Sequence, residues 1–197
     1  MVTLLCLPGK WPDSSGLPKF DFVIGVDSGA DVAIENGMNP NLIIGDLDSV
    51  NRDNHPTERL LEKSEQDYND LAKALQYCLE KSMTSIWIIG FSGKRSDHEL
   101  GNYAAVHNAS HDLDIRVILD GMIMHRVVSE NDFHGLAPIG TLVSIFSFEE
   151  TRVQTSGLKW DINGIHGFSS RGVSNQSIAP TFSISTDGCV FVLIHES

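Results

Sequence analysis

Pro40-Asn41-Leu42-Ile43-Ile44-Gly45-Asp46-Leu47-Asp48-Ser49 is the stretch on which the fold of this chain turns. Leu42, Ile43 and Ile44 form a short apolar run that reads as a buried strand, and it ends in a glycine and two carboxylates one residue apart. If the backbone stays extended past Gly45, side-chain alternation puts Asp46 and Asp48 on one face, roughly 6 to 7 Å apart at their Cα atoms. Carboxylates that close repel unless a cation lies between them. Their hard oxygens suit Mg²⁺, and open α/β sheets collect ligands beyond the carboxyl ends of their strands. The pattern predicts a metal–phosphate site at a strand end. The same letters also suit an Asx-rich turn, since Gly-Asp and Asp-Ser are ordinary turn dipeptides.

Outward from this stretch, short apolar runs alternate with helical patterns up to about residue 120, the signature of βαβ units. Strands are expected at 2–7, 22–26, 42–44, 86–89 and 115–119, in a mostly parallel, doubly wound α/β sheet. The last four are followed by acidic or glycine-bearing residues: Asp27-Ser28-Gly29-Ala30, Gly45-Asp46-Leu47-Asp48, the loop 90–97, and Asp120-Gly121. Several such ends point to one shared crevice.

Two helices bear on that crevice. Over 66–81, Leu71, Leu75, Cys78 and Leu79 fall on one face at a 3.6-residue period, with Asp67 expected as N-cap and Asp70 on the same side of the first turn. Acidic residues there also complement the helix dipole with no ligand at all. The second helix is expected to start near Ser96-Asp97 and to turn Leu100, Tyr103, Ala104 and His107 inward. The loop Gly90-Phe91-Ser92-Gly93-Lys94-Arg95 before it could offer backbone N–H groups and Arg95 to phosphate oxygens, although it matches neither standard phosphate-binding fingerprint. His98 suits a helix cap as well as chemistry.

Beyond about residue 127 the pattern changes to short strands, at 141–148, 151–155, 181–185 and 189–194, the last two joined by Asp187-Gly188 in the manner of a hairpin. A smaller all-β domain is expected over 127–197, after an α/β domain over 1–126. Trp160 lies in a stretch, 158–176, rich in Gly, Ser and Asn. It can pack in a core, or serve as a stacking platform for a flat or cationic ligand.

Composition narrows the classes. The chain has 197 residues, 41% hydrophobic and 20% charged, as in ordinary globular proteins. A formal net charge of −12 without Lys or Arg runs argues against nucleic acid or an anionic membrane as partner. Cys6, Cys78 and Cys189 are odd in number and far apart, which suits a reducing compartment, and the apolar N-terminus lacks the basic flank of a signal peptide, so a cytoplasmic protein is expected.

Taken together, these motifs resemble those of the thiamine pyrophosphokinase family across nearly the whole chain. Val26-Asp27-Ser28-Gly29-Ala30 is similar to its D-G-G-A turn, and Gly45-Asp46-Leu47-Asp48-Ser49 matches its G-D-x-D-S. Asp67-Tyr68-Asn69-Asp70 resembles D-x-T-D, and Gly90 through His98, continuing to Asn102, follows G-x-x-G-G-R-x-D-H. Gly157-Leu158-Lys159-Trp160 and Ser174-Asn175 resemble G-L-K-W and S-N. Ser28, Gln66, Asn69 and Lys94 depart from the family's glycine, lysine, threonine and glycine.

The resemblance implies a homodimer with a C-terminal β-sandwich, transferring a pyrophosphoryl group from ATP to the hydroxyl of thiamine and releasing AMP. It implies Mg²⁺ on Asp46, Asp48 and Asp70, with Asp97 in the catalytic set. Asp27, Ser28, Gly29, Ser49, Asp67, Arg95, His98 and Asn102 would face the nucleotide. Trp160, Ser174 and Asn175 would receive thiamine, from the other subunit. A metal-dependent phosphohydrolase and a non-catalytic nucleotide or thiamine binding module are the alternatives read from the same residues.

Overall fold

Ile43 and Ile44 are neighbours in the chain yet both fully buried, which a strand achieves only where both faces of its sheet are covered. The same holds for Leu4 and Leu5, and for Ile88 and Ile89. Continuous apolar runs of this kind belong to parallel sheets flanked by helices. The computed structural model describes residues 1–12, 17–64, 67–129 and 132–196, and divides into two units, Met1–Asp120 and Gly121–Ser197.

The first unit runs β1 (Val2–Cys6), β2 (Phe22–Val26), α1 (Gly29–Glu35), β3 (Leu42–Gly45), β4 (Leu60–Glu62), α2 (Asp70–Glu80), β5 (Ser85–Ile89), α3 (Ser96–Asn108) and β6 (Asp114–Leu119). Its strands lie in the order β6-β5-β1-β2-β3-β4, all parallel. Winding starts at β1 and moves through β2, β3 and β4. It then returns to the other side of β1 for β5 and β6, so the strand order reverses between β1 and β5. Loops leaving adjacent strands diverge at such a reversal and open a crevice. The five expected strands are present within a residue at each end. The short strand β4 and the helix α1 are additional.

Helix α2 begins later than its sequence pattern suggested. Asn69, not Asp67, is the N-cap: its Oδ1 accepts from the Ala72 N–H at 2.9 Å, while its Nδ2 donates to Asn102 Oδ1 at 3.3 Å. An aspartate could make the first bond but not the second, so an amide at this position both caps α2 and ties it to α3. Leu71, Leu75 and Cys78 are buried as expected, and Gln66 lies outside the described residues. Helix α3 is rotated from its expected face. Leu100 is 66% exposed and Ala104 exposed, whereas Val106 is fully buried. Its orientation is set by Asn102 Nδ2, which donates to the Phe91 carbonyl at 3.0 Å, and by Tyr103, edge-on to Phe91.

The second unit runs β7 (Met122–Val127), β8 (Phe133–Leu136), β9 (Leu142–Phe146), β10 (Thr151–Ser156), β11 (Asn163–His166), β12 (Asn175–Gln176), β13 (Thr181–Thr186) and β14 (Val190–His195). The strands are antiparallel, in the orders β12-β9-β14-β7 and β11-β10-β13-β8. Val143, Ile145 and Val192 from the first set share one hydrophobic cluster with Val153, Phe182 and Ile184 from the second. The expected hairpin through Asp187-Gly188 is not formed, because β13 and β14 pair in different sets. Asp187 Oδ1 instead accepts from Thr151 Oγ1 and the Arg152 N–H, both at 2.7 Å, anchoring the crossing chain to β10. Among the described residues, no helix is long and apolar enough to cross a membrane.

Replacing Asn69 with alanine is expected to lower stability by about 1 kcal/mol, the usual worth of a cap, whereas threonine, which keeps a cap oxygen, retains most of it. Urea unfolding of both variants checks this. Equal losses would show that the cap oxygen is not the source.

Candidate active site

Four loops at the carboxyl ends of β1, β2, β3 and β5, with the first turns of α2 and α3, wall a crevice of about 510 Å³. Across the reversal point the loops are laced by backbone bonds: the Leu7 N–H donates to the Ile89 carbonyl (2.9 Å), Gly9 to Gly90 (2.8 Å) and Lys10 to Ser92 (2.7 Å). The floor of the crevice is held before any ligand arrives.

Asp27 leaves β2 in the left-handed region, φ +48°, with its N–H donating to the Ile44 carbonyl at 2.8 Å. Gly45 makes room for it, since a Cβ there would stand 3.1 Å from that of Asp27. One carboxylate oxygen, Oδ1, is buried with no hydrogen-bond partner among the described residues. Burial pushes the Asp27 carboxyl above its ordinary range, and the charges of Asp70 and Asp46 push the same way, against the backbone N–H and hydroxyl of Ser28. Gly29 begins α1 so close to β1 that a Cβ would fall 2.0 Å from the Cys6 carbonyl oxygen.

The chain does not stay extended past Gly45. Leu47 turns inward at φ +60°, 3% exposed, and the Asp48 N–H donates to Asp46 Oδ1 at 3.2 Å. This is the Asx turn read as the plainer option. The left-handed backbone of Leu47, beyond the end of the strand at Gly45, breaks the strand alternation, so Asp46 and Asp48 do not share a strand face. Asp46 and Ser49 line the crevice; Asp48 is exposed outside its walls.

Asp70, in the first turn of α2, also lines the crevice, and its Oδ1 lies 2.9 Å from Lys73 Nζ. Asp67 is exposed and not part of the walls. On the opposite side, Arg95 holds Asp97 with two bonds, Nε to Oδ1 at 3.1 Å and Nη2 to Oδ2 at 2.6 Å. The guanidinium holds the Asp97 carboxyl down to about 2. A phosphate approaching Arg95 must therefore compete with Asp97. Lys94 and His98 also line the crevice, and Asn102 is engaged with Phe91 and Asn69.

The donor chemistry fits a hard cation: the charges of Asp70 and Asp46 add to the cost of ionising Asp27, one of whose oxygens is buried with no partner among the described residues. Among the described residues no three Asp, Glu, His or Cys side chains close on one point as a ready cage. Mg²⁺ keeps several waters and takes one or two carboxylates plus substrate phosphates, so an open arrangement suits it.

In the second unit, Trp160 is 57% exposed. Its N–H donates to Asn175 Oδ1 at 3.1 Å and its carbonyl accepts from Asn175 Nδ2 at 2.8 Å. Asn175, 2% exposed, thus clamps the tryptophan backbone and has its amide engaged there. Ser174 sits at φ +56°, its N–H donating to Ser144 Oγ. Lys159 Nζ lies 4.7 Å over the Trp160 ring.

Residues 15–119, more than half of the chain, match the family model described as "Thiamin pyrophosphokinase, catalytic domain". The chain belongs to the thiamin pyrophosphokinase family. It is 31% identical to thiamine pyrophosphokinase 1 of Arabidopsis thaliana over 158 residues, 67% of this chain and 55% of that protein. It is 36% identical to the Bacillus subtilis thiamine pyrophosphokinase over 101 residues, 46% of each. The chain spans about half the length of the curated relatives it matches. Among solved structures it shares its fold with the Bacillus subtilis enzyme (TM-score 0.82, 24% identity, 99% of both chains) and the Candida albicans one (TM-score 0.79, 15% identity, 99% of this chain and 88% of that one).

The family match covers the crevice loops from β2 to α3. Motif reading missed Lys73, although a lysine among Leu71, Ala74 and Leu75 was a signal in itself. It also missed the wall from Pro8 and Gly9, which is backbone and apolar surface and carries no chemical letter.

Carboxyl-carbon NMR titration is expected to place Asp27 above the ordinary carboxylate range, and Asp70→Asn should lower it only part-way, because burial is the main cause. An unmoved midpoint would separate the two groups electrostatically. The linkage signs are opposite for Asp27 and Asp97, the two crevice aspartates whose ionisation is shifted. The contribution of Asp97 is present above its unfolded pKa and lost as pH falls through about 2, whereas that of Asp27 improves as pH falls through its raised value.

Proposed function

We propose that this protein is a thiamine pyrophosphokinase, moving the β,γ-pyrophosphoryl group of ATP to the hydroxyethyl oxygen of thiamine and releasing AMP. The observation that carries this reading is the convergence of Asp27, Asp46 and Asp70 in one crevice, opposite a loop bearing Lys94 and Arg95 at the start of α3. In this reading the first unit is a doubly wound nucleotide-binding domain. The second is a β-sandwich that binds thiamine and joins two subunits, in a cytoplasmic homodimer.

The reaction builds charge on phosphate oxygens and on the departing AMP, so it calls for positioning and neutralisation more than covalent chemistry. Asp46 and Asp70 would hold Mg²⁺, directly or through retained waters, and Asp48, outside the crevice walls, would act on it only through such waters. When bound, that ion neutralises the oxygens of the transferred group. Backbone N–H groups at the start of α3, with Lys94 and Arg95, receive the remaining phosphate charge. Ser28, Gly29 and Ser49 let the nucleotide approach the backbone of the loops after β2 and β3, and His98 and Asn102 border it, with Asp67 outside. Asp97 keeps Arg95 oriented until phosphate competes for it. A crevice carboxylate orients the attacking hydroxyl, and its proton leaves to that carboxylate or to water. The thiazolium cation of thiamine stacks on the partner subunit's Trp160, and the partner's Ser174 bonds the pyrimidine edge, with Asn175 holding the platform in place.

Incubation with ATP, Mg²⁺ and thiamine is expected to give AMP and thiamine diphosphate in equal amounts; ADP, or phosphate released without acceptor, would overturn the reading. Asp46→Asn should lower kcat/KM by at least about 100-fold, the scale of a lost charge-stabilising group, with an unchanged circular dichroism spectrum. Trp160→Ala should raise the KM for thiamine about tenfold, as for a lost desolvated cation–π contact, and leave the KM for ATP in place.

A further inference from the structure

Lys73 lies on the inward face of α2 beside Leu71, Ala74 and Leu75, its side chain 6% exposed. Its ammonium is 2.9 Å from Asp70 Oδ1 and donates to the Lys63 carbonyl at 2.9 Å. A lysine so placed is tolerated only when paired and hydrogen-bonded. Lys63 in turn donates its own N–H to the Gly45 carbonyl at 2.8 Å. A continuous path of three hydrogen bonds therefore runs from Gly45, next to Asp46, through Lys63 and Lys73 to Asp70.

The path leaves the two oxygens of Asp70 unequal. Oδ1 faces an ammonium at contact distance, where a dication would be repelled, while Oδ2 receives no hydrogen bond from a described residue. We propose that Lys73 is a positioning residue that sets metal specificity: it reserves Oδ1, restricts Asp70 to ligation through one oxygen, and so favours Mg²⁺ over Ca²⁺. Mg²⁺ demands a small octahedral shell, whereas Ca²⁺ takes larger, looser shells in which carboxylates often bind through both oxygens. This inference rests on the reading of the crevice as a magnesium–nucleotide site.

The test is calorimetric titration of the protein with Mg²⁺ alone and with Ca²⁺ alone, in the wild type, Lys73→Met, Asp70→Asn and the double variant. Loss of the lysine charge strengthens both dications alike and cancels in the ratio of their affinities. The ratio in Lys73→Met is expected to move about tenfold toward Ca²⁺, the scale of a lost outer-shell partner. Lys73→Arg should hold the ratio near wild type, and Lys73→Met should not alter it in the Asp70→Asn background. A folded Lys73→Met protein with the wild-type ratio overturns the role of Lys73. An Asp70→Asn protein that binds both ions as the wild type does overturns the magnesium reading itself. Crystals of the wild type soaked in Mn²⁺ decide the matter even if Lys73→Met does not fold. An ion on Oδ2 with Lys73 still on Oδ1 supports the proposal, and an ion on both oxygens, or a displaced Lys73, refutes it.

Discussion

Negative charge crowded at the carboxyl edge of a parallel sheet is the constraint from which the rest of the first unit follows. Asp27 carries a buried oxygen with no hydrogen-bond partner among the described residues, while Asp70 and Asp46 bear on it electrostatically. Such an arrangement opposes folding and persists only where the surrounding structure fixes it. In a chain of net charge −12 there is little positive background to relieve it. Relief comes instead from particular placements: the ammonium of Lys73 buried behind Asp70, and the amino end of α3 with Lys94 and Arg95 across the crevice. Each sits on a helix or at its start, where its position is set by packing rather than by the charges themselves.

Backbone devices hold the carboxylates in place. Asp27 and Leu47 both adopt left-handed conformations that side chains other than glycine seldom take. Gly45 and Gly29 provide the space that lets the loop after β2 press against its neighbours. A latch completes the loop after β3. Asp31 on α1 accepts from the Asn51 N–H at 3.0 Å through one oxygen and pairs with the buried ring of His55 at 3.0 Å through the other. The segment that follows Ser49 is thereby tied to the helix that starts beside Asp27. The crevice is thus walled by loops, but these loops are fastened to elements at both ends.

The parallel sheet was legible because burial on both faces imposes continuous apolar runs, and five of those runs stand out in the chain. Strand β4 was not: three residues at a sheet edge carry too little pattern to separate from a loop. The rotation of α3 was hidden because its face is chosen by Asn102 and Tyr103 against Phe91, contacts between segments that periodicity does not register. Asp187-Gly188 has the letters of a hairpin, but the choice of partner strand depends on Thr151 and Arg152, far away in sequence. For the site, the aspartates and Arg95 were legible as chemistry. Their detailed relations were not, since the inward turn of Leu47 separates Asp46 from Asp48, and Lys73 joins Asp70 by tertiary burial.

The second unit solves the opposite problem, presenting an apolar ring to solvent rather than hiding charge. A tryptophan more than half exposed forgoes hydrophobic stabilisation on the order of 1 to 2 kcal/mol that burial would supply. Its backbone is nevertheless fixed by a nearly inaccessible asparagine that satisfies both its N–H and its carbonyl. Asp161 adds to this by accepting from Thr155 Oγ1 at 2.9 Å and the Leu158 N–H at 3.2 Å, which closes the turn on either side of the ring. Such a turn has little freedom to fold the ring inward. The ammonium of Lys159 above it already draws on the negative π-face, so a cationic guest must take the other face or displace the lysine. The ring is therefore one-sided before anything binds, and that asymmetry comes from the neighbouring Lys159 over a ring whose turn is held by hydrogen bonds, not from the tryptophan alone.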